Sequence, residues 1–398
     1  MEQRKLALDI LYKSIKEESY SNLLMRKELE KVPYIQRGFI TNLVNSVLRN
    51  YEFLQYQFED EVRSSTSLKV RLILCMALYE RFFLKEKDYV INNEYTSLGK
   101  NEYERSFINA ILRKVTELKQ SEEGYINASL PKWIYSLLSK QYDEETLKKI
   151  IEVYHKIPKL CYRLNKKKCS YEMLKDLDIE VLNEDIFISK MNMLKTSLYK
   201  NGYFYVQDYN SASLYKNLDL VKDDVLLDVC AAPGSKLFNC LDVIKEENAY
   251  GNDIHVNRVE LIKKMAEKLG YTKIHLLNHD GCTLKDHLSV KFDKILLDAP
   301  CSGLGVIARK PDLKFHIKPE SLDELQVLQY ELLNTNKELL KEGGILLYST
   351  CTLNKKENEK QIARFLKEDD RFTLLKEETI INDLGDCFYY AKLRKERQ

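Results

Sequence analysis

Two cysteines sit in short polar turns, where a thiol is better placed for chemistry than for packing. Cys301 lies in Asp298-Ala299-Pro300-Cys301-Ser302-Gly303, and Cys351 in Tyr348-Ser349-Thr350-Cys351-Thr352. Each turn follows an apolar run of strand character, Phe292 to Leu297 and Ile345 to Ser349. Both thiols should therefore emerge at the carboxyl ends of strands and converge on one cleft. Cysteine more often serves as a small core residue, but the flanking serines, threonines, proline and glycine argue for a reactive pair.

A third strand end carries the segment Asp228-Val229-Cys230-Ala231-Ala232-Pro233-Gly234-Ser235-Lys236. Small residues there let the backbone turn sharply and approach a ligand. The spacing is neither that of a dinucleotide glycine loop nor that of a P-loop. Roughly 20 residues on, Asp253 ends the next strand, where an acidic side chain can accept ribose hydroxyls. Asp280 follows a further strand and suits an adenine edge. Each of these two aspartates can also simply cap a helix or turn; together, behind the small-residue turn, they predict a nucleoside cofactor.

A thiol pair beside a nucleoside cofactor suits methylation of a pyrimidine carbon. C5 of cytosine is too electron-poor to attack a methylsulfonium. Adding a thiolate at C6 turns the ring into an enamine with a nucleophilic C5. A carboxyl group on the N3/N4 edge would help that addition, and a further group must assist release. Cys351, Asp298 and Cys301 would supply these functions in that order.

The elements needed to position such groups are visible in the pattern. From Val225 onward, strand, turn and helix repeat: Val225 to Val229, Tyr250 to Ile254, Ile274 to Leu277, Phe292 to Leu297 and Ile345 to Ser349 as strands, with helices over Val256 to Leu269 and Leu322 to Leu340. That alternation predicts a parallel sheet covered on both faces, with ligands at the strand ends near a switch in strand order. The first 119 residues show helical periodicity only, as in Leu6, Ile10, Leu11 and Ile15 or Phe39, Leu43, Val44 and Val47. Further helices are predicted near Leu68 to Phe83 and Tyr103 to Leu118, with a linker over Gln120 to Leu130. From Pro131 a helix carries Trp133, and strands near Lys159 to Leu164 and Ile186 to Ser189 mark a small α+β module reaching about Val206.

With 398 residues the chain exceeds one ordinary core. Its net charge of +2, from 63 basic and 61 acidic residues, gives no global field to attract RNA, so any such contact would be local. Nine cysteines without a C-x-x-C pair point away from a structural zinc site or a disulfide framework. No apolar run approaches the roughly 20 residues of a membrane span, and the Met1-Glu2-Gln3-Arg4-Lys5 start has no signal-peptide character; a cytoplasmic protein without membrane or metal is the expectation.

The run Val229 to Lys236, the Asp298 to Gly303 turn and Ser349-Thr350-Cys351-Thr352 closely resemble the Nol/Nop/Sun RNA m5C methyltransferases. Tyr205-Val206-Gln207-Asp208 with Ser211, Arg309 to Phe315 and Phe388-Tyr389-Tyr390-Ala391 extend the likeness. The first helices, with Phe107 to Arg113, resemble a NusB-type RNA-binding domain. The resemblance implies a multidomain chain: an all-α NusB-like domain over 1–125, a small α+β module over 126–206, and an α/β Rossmann-like class I S-adenosylmethionine methyltransferase domain over 207–398. It implies S-adenosyl-L-methionine as cofactor, held by Cys230, Ala231, Ala232, Pro233, Gly234, Ser235, Lys236, Asp253, Asp280 and Asp298, one cytidine of small-subunit (16S) ribosomal RNA as substrate, and a monomer. Cys351 is then the nucleophile and Cys301 the group assisting product release, with Asp298 positioning the base and Lys236 beside them. Lys167, Arg309 and Lys314 are expected as phosphate contacts.

Three positions depart from the family pattern: Ser235 replaces a glycine, Leu237 a threonine and Lys310 a histidine. Ser235 would still suit the cap of the following helix. The alternatives are specific. A DNA cytosine methyltransferase would use Cys301 as nucleophile, and an amino-group methyltransferase would carry Asp-Pro-Pro-aromatic where Asp298-Ala299-Pro300-Cys301 stands. A non-catalytic RNA-binding assembly or antitermination factor would not need both cysteines.

Overall fold

The computed structural model describes residues 1–17 and 20–397. It divides into two compact units: Met1–Lys156 with Val306–Lys318, and Ile157–Gly305 with Pro319–Gln398.

Among the described residues, the regular structure of the first unit is helical. The Leu68–Phe82 helix is buried along most of its length, from Val70 to Glu80, so it forms the axis on which the others pack. The Glu2–Lys16 helix contributes Leu8 and Leu11, and the Tyr34–Arg49 helix contributes Leu43, Val44 and Val47. These are the apolar stripes expected from the sequence. Charge taken into this core is paired: Glu80 receives two hydrogen bonds from Arg4 (3.0 and 2.5 Å) and one from the Tyr95 hydroxyl, as buried charge requires.

The expected linker over Gln120 to Leu130 is packed structure. It contains a short helix, Gly124–Asn127, and the Asn127 amide side chain closes it by bonding Ser121 at both N and O. The helices Lys132–Gln141 and Glu144–His155 complete the chain's first pass. Residues 126–156 thus pack with the helices, and the strands that follow pack in the second unit.

That unit holds two sheets. The smaller joins β1 (Cys161–Leu164), β2 (Ile179–Val181), β3 (Ile186–Ser189) and β4 (Phe204–Val206) in the antiparallel order β2-β3-β1-β4. Tyr162, Phe187 and Phe204 fill its inner face. The larger comprises β5 (Leu226–Asp228), β6 (Ala249–Asn252), β7 (His275–Leu277), β8 (Phe292–Asp298), β9 (Leu340–Thr350), β10 (Phe372–Ile380) and β11 (Phe388–Lys395) in the order β10-β11-β9-β8-β5-β6-β7.

Strands β9, β8, β5, β6 and β7 are parallel, while β11 runs antiparallel to both β9 and β10. The sheet is therefore mixed, not wholly parallel as the sequence suggested. The reason lies in β10: only Phe372 of its nine residues is fully buried, so this edge strand lacks the continuous apolar run that marks a buried parallel strand. The chain leaves β5 toward β6 and β7, then returns to β8 on β5's other side. That reversal opens a crevice at the carboxyl ends of β5 and β8.

Candidate active site

The crevice is a cleft of about 280 Å³ at these strand ends. Its walls include Val229, Cys230 and Ala232 after β5, Asn252 to Ile254 after β6, Asp280 and Gly281 after β7, and Asp298 to Cys301 after β8. Cys351 closes one side, and Leu328 and Leu332, one turn apart on the Pro319–Asn336 helix, form an apolar wall.

Asn252 ties three strand ends together. Its amide donates to the Val229 and His279 carbonyls, each at 3.0 Å, and its Oδ1 accepts from the His279 backbone N–H at 3.0 Å. Gly234, at φ +104°, begins the Ser235–Cys240 helix; a Cβ at that backbone angle would be strained. The cap is thus Gly234 itself, and Ser235, expected as a cap, is the first helical residue.

Of the predicted cofactor residues, Cys230, Ala232, Asp253, Asp280 and Asp298 line the cleft. Ala231, Pro233, Gly234, Ser235 and Lys236 shape the turn without being part of its lining. Asp253 is buried; its carboxylate accepts from the His255 backbone N–H at 3.0 Å and faces Arg258 at 3.5 Å. Asp280 accepts from the Cys282 N–H at 2.9 Å. Both aspartates therefore cap their turns and also line the cleft. Asn252, Ile254, Arg258, Leu328 and Leu332 were not anticipated; the i, i+4 spacing of the two leucines is the signal that was available.

The two thiols meet as expected, with Cys301 Sγ and Cys351 Sγ 3.3 Å apart. Hydrogen bonding to Cys351, burial, and the nearby charges of Cys351, Glu357 and Asp298 together push the Cys301 thiol well above its ordinary range. Asp298 Oδ2 accepts from Lys236 Nζ at 2.6 Å and Oδ1 from Ser349 Oγ at 2.8 Å. Burial, the largest single influence, opposes the Lys236 charge, but Asp298, Cys351 and Asp228 together outweigh it, so the Lys236 ammonium is held above its usual value.

Beneath this pair lies Asp228, fully enclosed, with neither carboxyl oxygen in a hydrogen bond of good geometry. Burial, then the Asp298 charge, pushes its pKa up to about 8. A carboxyl raised in the fold binds more protons folded than unfolded, so its contribution is complete below about pH 4 and is lost as pH rises through 8. Asp228→Asn is accordingly expected to flatten the fall in stability between about pH 4 and 8, read by urea unfolding across that range; an unchanged slope would reject the assignment.

The expected phosphate contacts behave differently from one another. Lys167 is half-exposed and paired with Glu246 and the Gly270 carbonyl. Arg309 is half-buried. Lys314 is not presented to solvent: it is buried within the helical unit, its ammonium bonded to Glu52 and the Ser129 carbonyl, both at 2.5 Å. The side chain's charge is neutralised locally, which removes it as a phosphate contact.

A model of the family described as 16S rRNA methyltransferase RsmB/F matches residues 215–387, and a NusB family model matches residues 1–117. The chain is 32% identical over 400 residues to the "Probable ribosomal RNA small subunit methyltransferase B" of Bacillus subtilis (strain 168), covering 93% of this chain and 89% of that one. The chain belongs to the RsmB/F family of 16S rRNA methyltransferases.

The likeness extends to solved folds. PH0851 superposes with a TM-score of 0.75 at 21% identity, covering 98% of both chains. NSun6 from Pyrococcus horikoshii, solved with SFG, gives 0.59 at 20% identity over 67% of this chain and 99% of that one. The NusB-type N-terminal helices and the Rossmann-like methyltransferase fold expected from the sequence are thereby established.

S-adenosylmethionine is the cofactor. The cleft fits it chemically: three carboxylates, from Asp253, Asp280 and Asp298, face a space with apolar walls from Val229, Ile254, Leu328 and Leu332. Such a lining suits a cationic nucleoside with hydroxyl and amino donors. Asp253→Ala should weaken binding of S-adenosylhomocysteine roughly 10- to 100-fold, the cost of losing hydrogen bonds to a charged acceptor, measured by titration calorimetry. Unaltered affinity would remove Asp253 from the cofactor site.

Proposed function

We propose that this protein methylates C5 of a specific cytidine in small-subunit ribosomal RNA through a covalent bond between Cys351 and C6. The 3.3 Å approach of the two thiols in the same cleft as the three carboxylates carries this reading. S-adenosylmethionine supplies an electrophilic methyl group.

The chain's own groups divide the remaining work. The Cys351 thiolate adds to C6, and Asp298, fixed by Lys236 and Ser349, accepts a hydrogen bond from the base edge. Cys301, held as a thiol beside Cys351, donates to the thiolate before attack. Once Cys351 is a neutral thioether, the strongest influence raising the Cys301 pKa is gone. Cys301 then gives its proton to solvent water and, as the thiolate, takes the C5 proton; the C5–H electrons re-form the C5=C6 double bond as the Cys351–C6 bond breaks, and Cys351 leaves as a thiolate.

RNA engagement is assigned to the helical unit and to Arg309 and Lys167. The helical unit offers a cleft of about 710 Å³ whose lining includes Lys5, Lys16, Lys69 and Lys100 against two acidic residues, Asp9 and Glu104. Two of these ammonium groups lie about 5 Å from the Tyr12 ring centre. Lysines around an aromatic face suit a nucleic-acid backbone and base.

The test is bisulfite sequencing of unmodified small-subunit rRNA after incubation with the protein and S-adenosylmethionine. One protected cytidine is expected. Cofactor binding without any protected cytidine, on naked rRNA or assembled subunits, would overturn the reading in favour of an RNA-binding factor.

A further inference from the structure

We propose that Glu357 is the positioning residue of the two-cysteine centre, holding the Cys301 and Cys351 turns in register through one buried hydrogen-bond network. This inference rests on the cysteine roles proposed above.

Glu357 is wholly buried, and it does not line the cofactor cleft. A buried carboxylate is costly unless its lone pairs are filled. Here four donors fill them. Ser302 donates from its backbone N–H (2.9 Å) and its hydroxyl (2.6 Å), Asn354 from its amide (3.0 Å), and Gln329 from its amide (3.0 Å).

The arrangement grips both sides of Cys301. Ser302 follows it directly, and Gln329 also donates to the carbonyl of Pro300, which precedes it, at 2.9 Å. The grip passes to the other turn through hydroxyls. Ser302 gives its own proton to Glu357, so the 2.7 Å contact with Thr352 is a bond donated by Thr352, the residue after Cys351. Thr352 in turn accepts from the Asn354 N–H at 3.2 Å, and the Tyr348 hydroxyl donates to the Glu357 carbonyl at 2.7 Å. One side chain therefore fixes residues adjacent to each thiol.

Its charge has a second effect. The Glu357 anion is among the influences that keep the Cys301 proton in place, after the hydrogen bond to Cys351, burial and the Cys351 charge. Position and charge thus act on the same residue, holding the Cys301 turn in place and its thiol protonated.

The test uses the full chain carrying Glu357→Gln, with Ser302→Ala as a second variant that keeps the buried carboxylate and removes only the hydroxyl link. An amide at 357 turns one acceptor into a donor facing donors, so the network must break on one side. Thermal melting and S-adenosylhomocysteine affinity report on fold and cofactor site.

Two readouts address position. In the first, diamide oxidises the free enzyme: two thiols lose two protons and two electrons to the N=N bond, giving a Cys301–Cys351 disulfide and the hydrazine. Disulfide formation demands close, well-directed sulfurs, and its rate is expected to fall roughly tenfold in either variant. In the second, kcat for rRNA methylation should fall by about 100-fold in Glu357→Gln, the scale expected for a misplacement near 1 Å, with KM for the cofactor unchanged.

Wild-type cross-linking and kcat in both variants would overturn the proposal. If Glu357→Gln does not fold, Ser302→Ala decides alone, and wild-type behaviour there counts against it. The diamide assay needs no RNA. A wild-type enzyme that methylates nothing while the variants still cross-link slowly would sink the proposed function and leave the positioning role standing.

Discussion

Cys351→Ala should abolish methyl transfer to RNA, and Cys301→Ala should leave protein trapped on RNA. Removing a nucleophile costs at least about 10³-fold, since the remaining groups can orient the base without activating C5. The Cys301 variant retains Cys351 and Asp298, so addition at C6 and methylation at C5 proceed; what is lost is the group that takes the C5 proton. The adduct then accumulates as a slow-migrating band on a denaturing gel. Its counterpart lacking Cys351 shows no band. The reverse pattern would exchange the two roles, and bands from both would reject a single nucleophile.

Glu52→Ala should destabilise the helical unit by about 3–5 kcal/mol, the range for leaving a buried charge without its partner. Lys314 is the enclosed member of the pair and Glu52 keeps some solvent contact. Burial already lowers the Lys314 pKa, so the orphaned ammonium would tend to deprotonate, which limits the loss to this range. Lys314→Met should cost less, because a flexible apolar chain fills the same space and Glu52 can turn to water. Urea unfolding monitored at the helices measures both. Equal losses, or a loss below about 1 kcal/mol for Glu52→Ala, the level of an exposed pair, would show that the bond does not hold the segment.

Much of the site was legible because its signals are local. The Val256–Leu269 helix matches its expected span residue for residue, since its amphipathic stripe ends at Gly270, which adopts φ +90°. The strand-end turns were equally readable, each coupling a buried apolar run to small polar residues. Glu357 was not. It lies in Lys355-Lys356-Glu357-Asn358-Glu359-Lys360, a run that reads as solvated charge, and its burial depends on Ser302 and Gln329, which are distant in sequence.

The burial of Lys314 is hidden from the sequence for the same reason. A lysine in a polar loop is normally exposed, and nothing near it in sequence announces Glu52 or Ser129. Strand β10 escaped notice because edge strands need no apolar face, and its central Lys376, Glu377 and Glu378 point to solvent.

The helical unit is assembled from two stretches of chain made at different times. Residues 1–156 leave the ribosome first, but Asp312, which receives the Ser21 backbone N–H at 2.7 Å, and Phe315, whose ring meets Tyr51 edge-on, arrive only after most of the second unit has been synthesised. At ordinary elongation rates the delay is roughly ten to thirty seconds. During that interval the nascent helices expose the surface that Phe315 later covers, and Glu52 waits without its cation. A chaperone-binding window early in biosynthesis follows, as does a poor yield for any fragment that ends before residue 318.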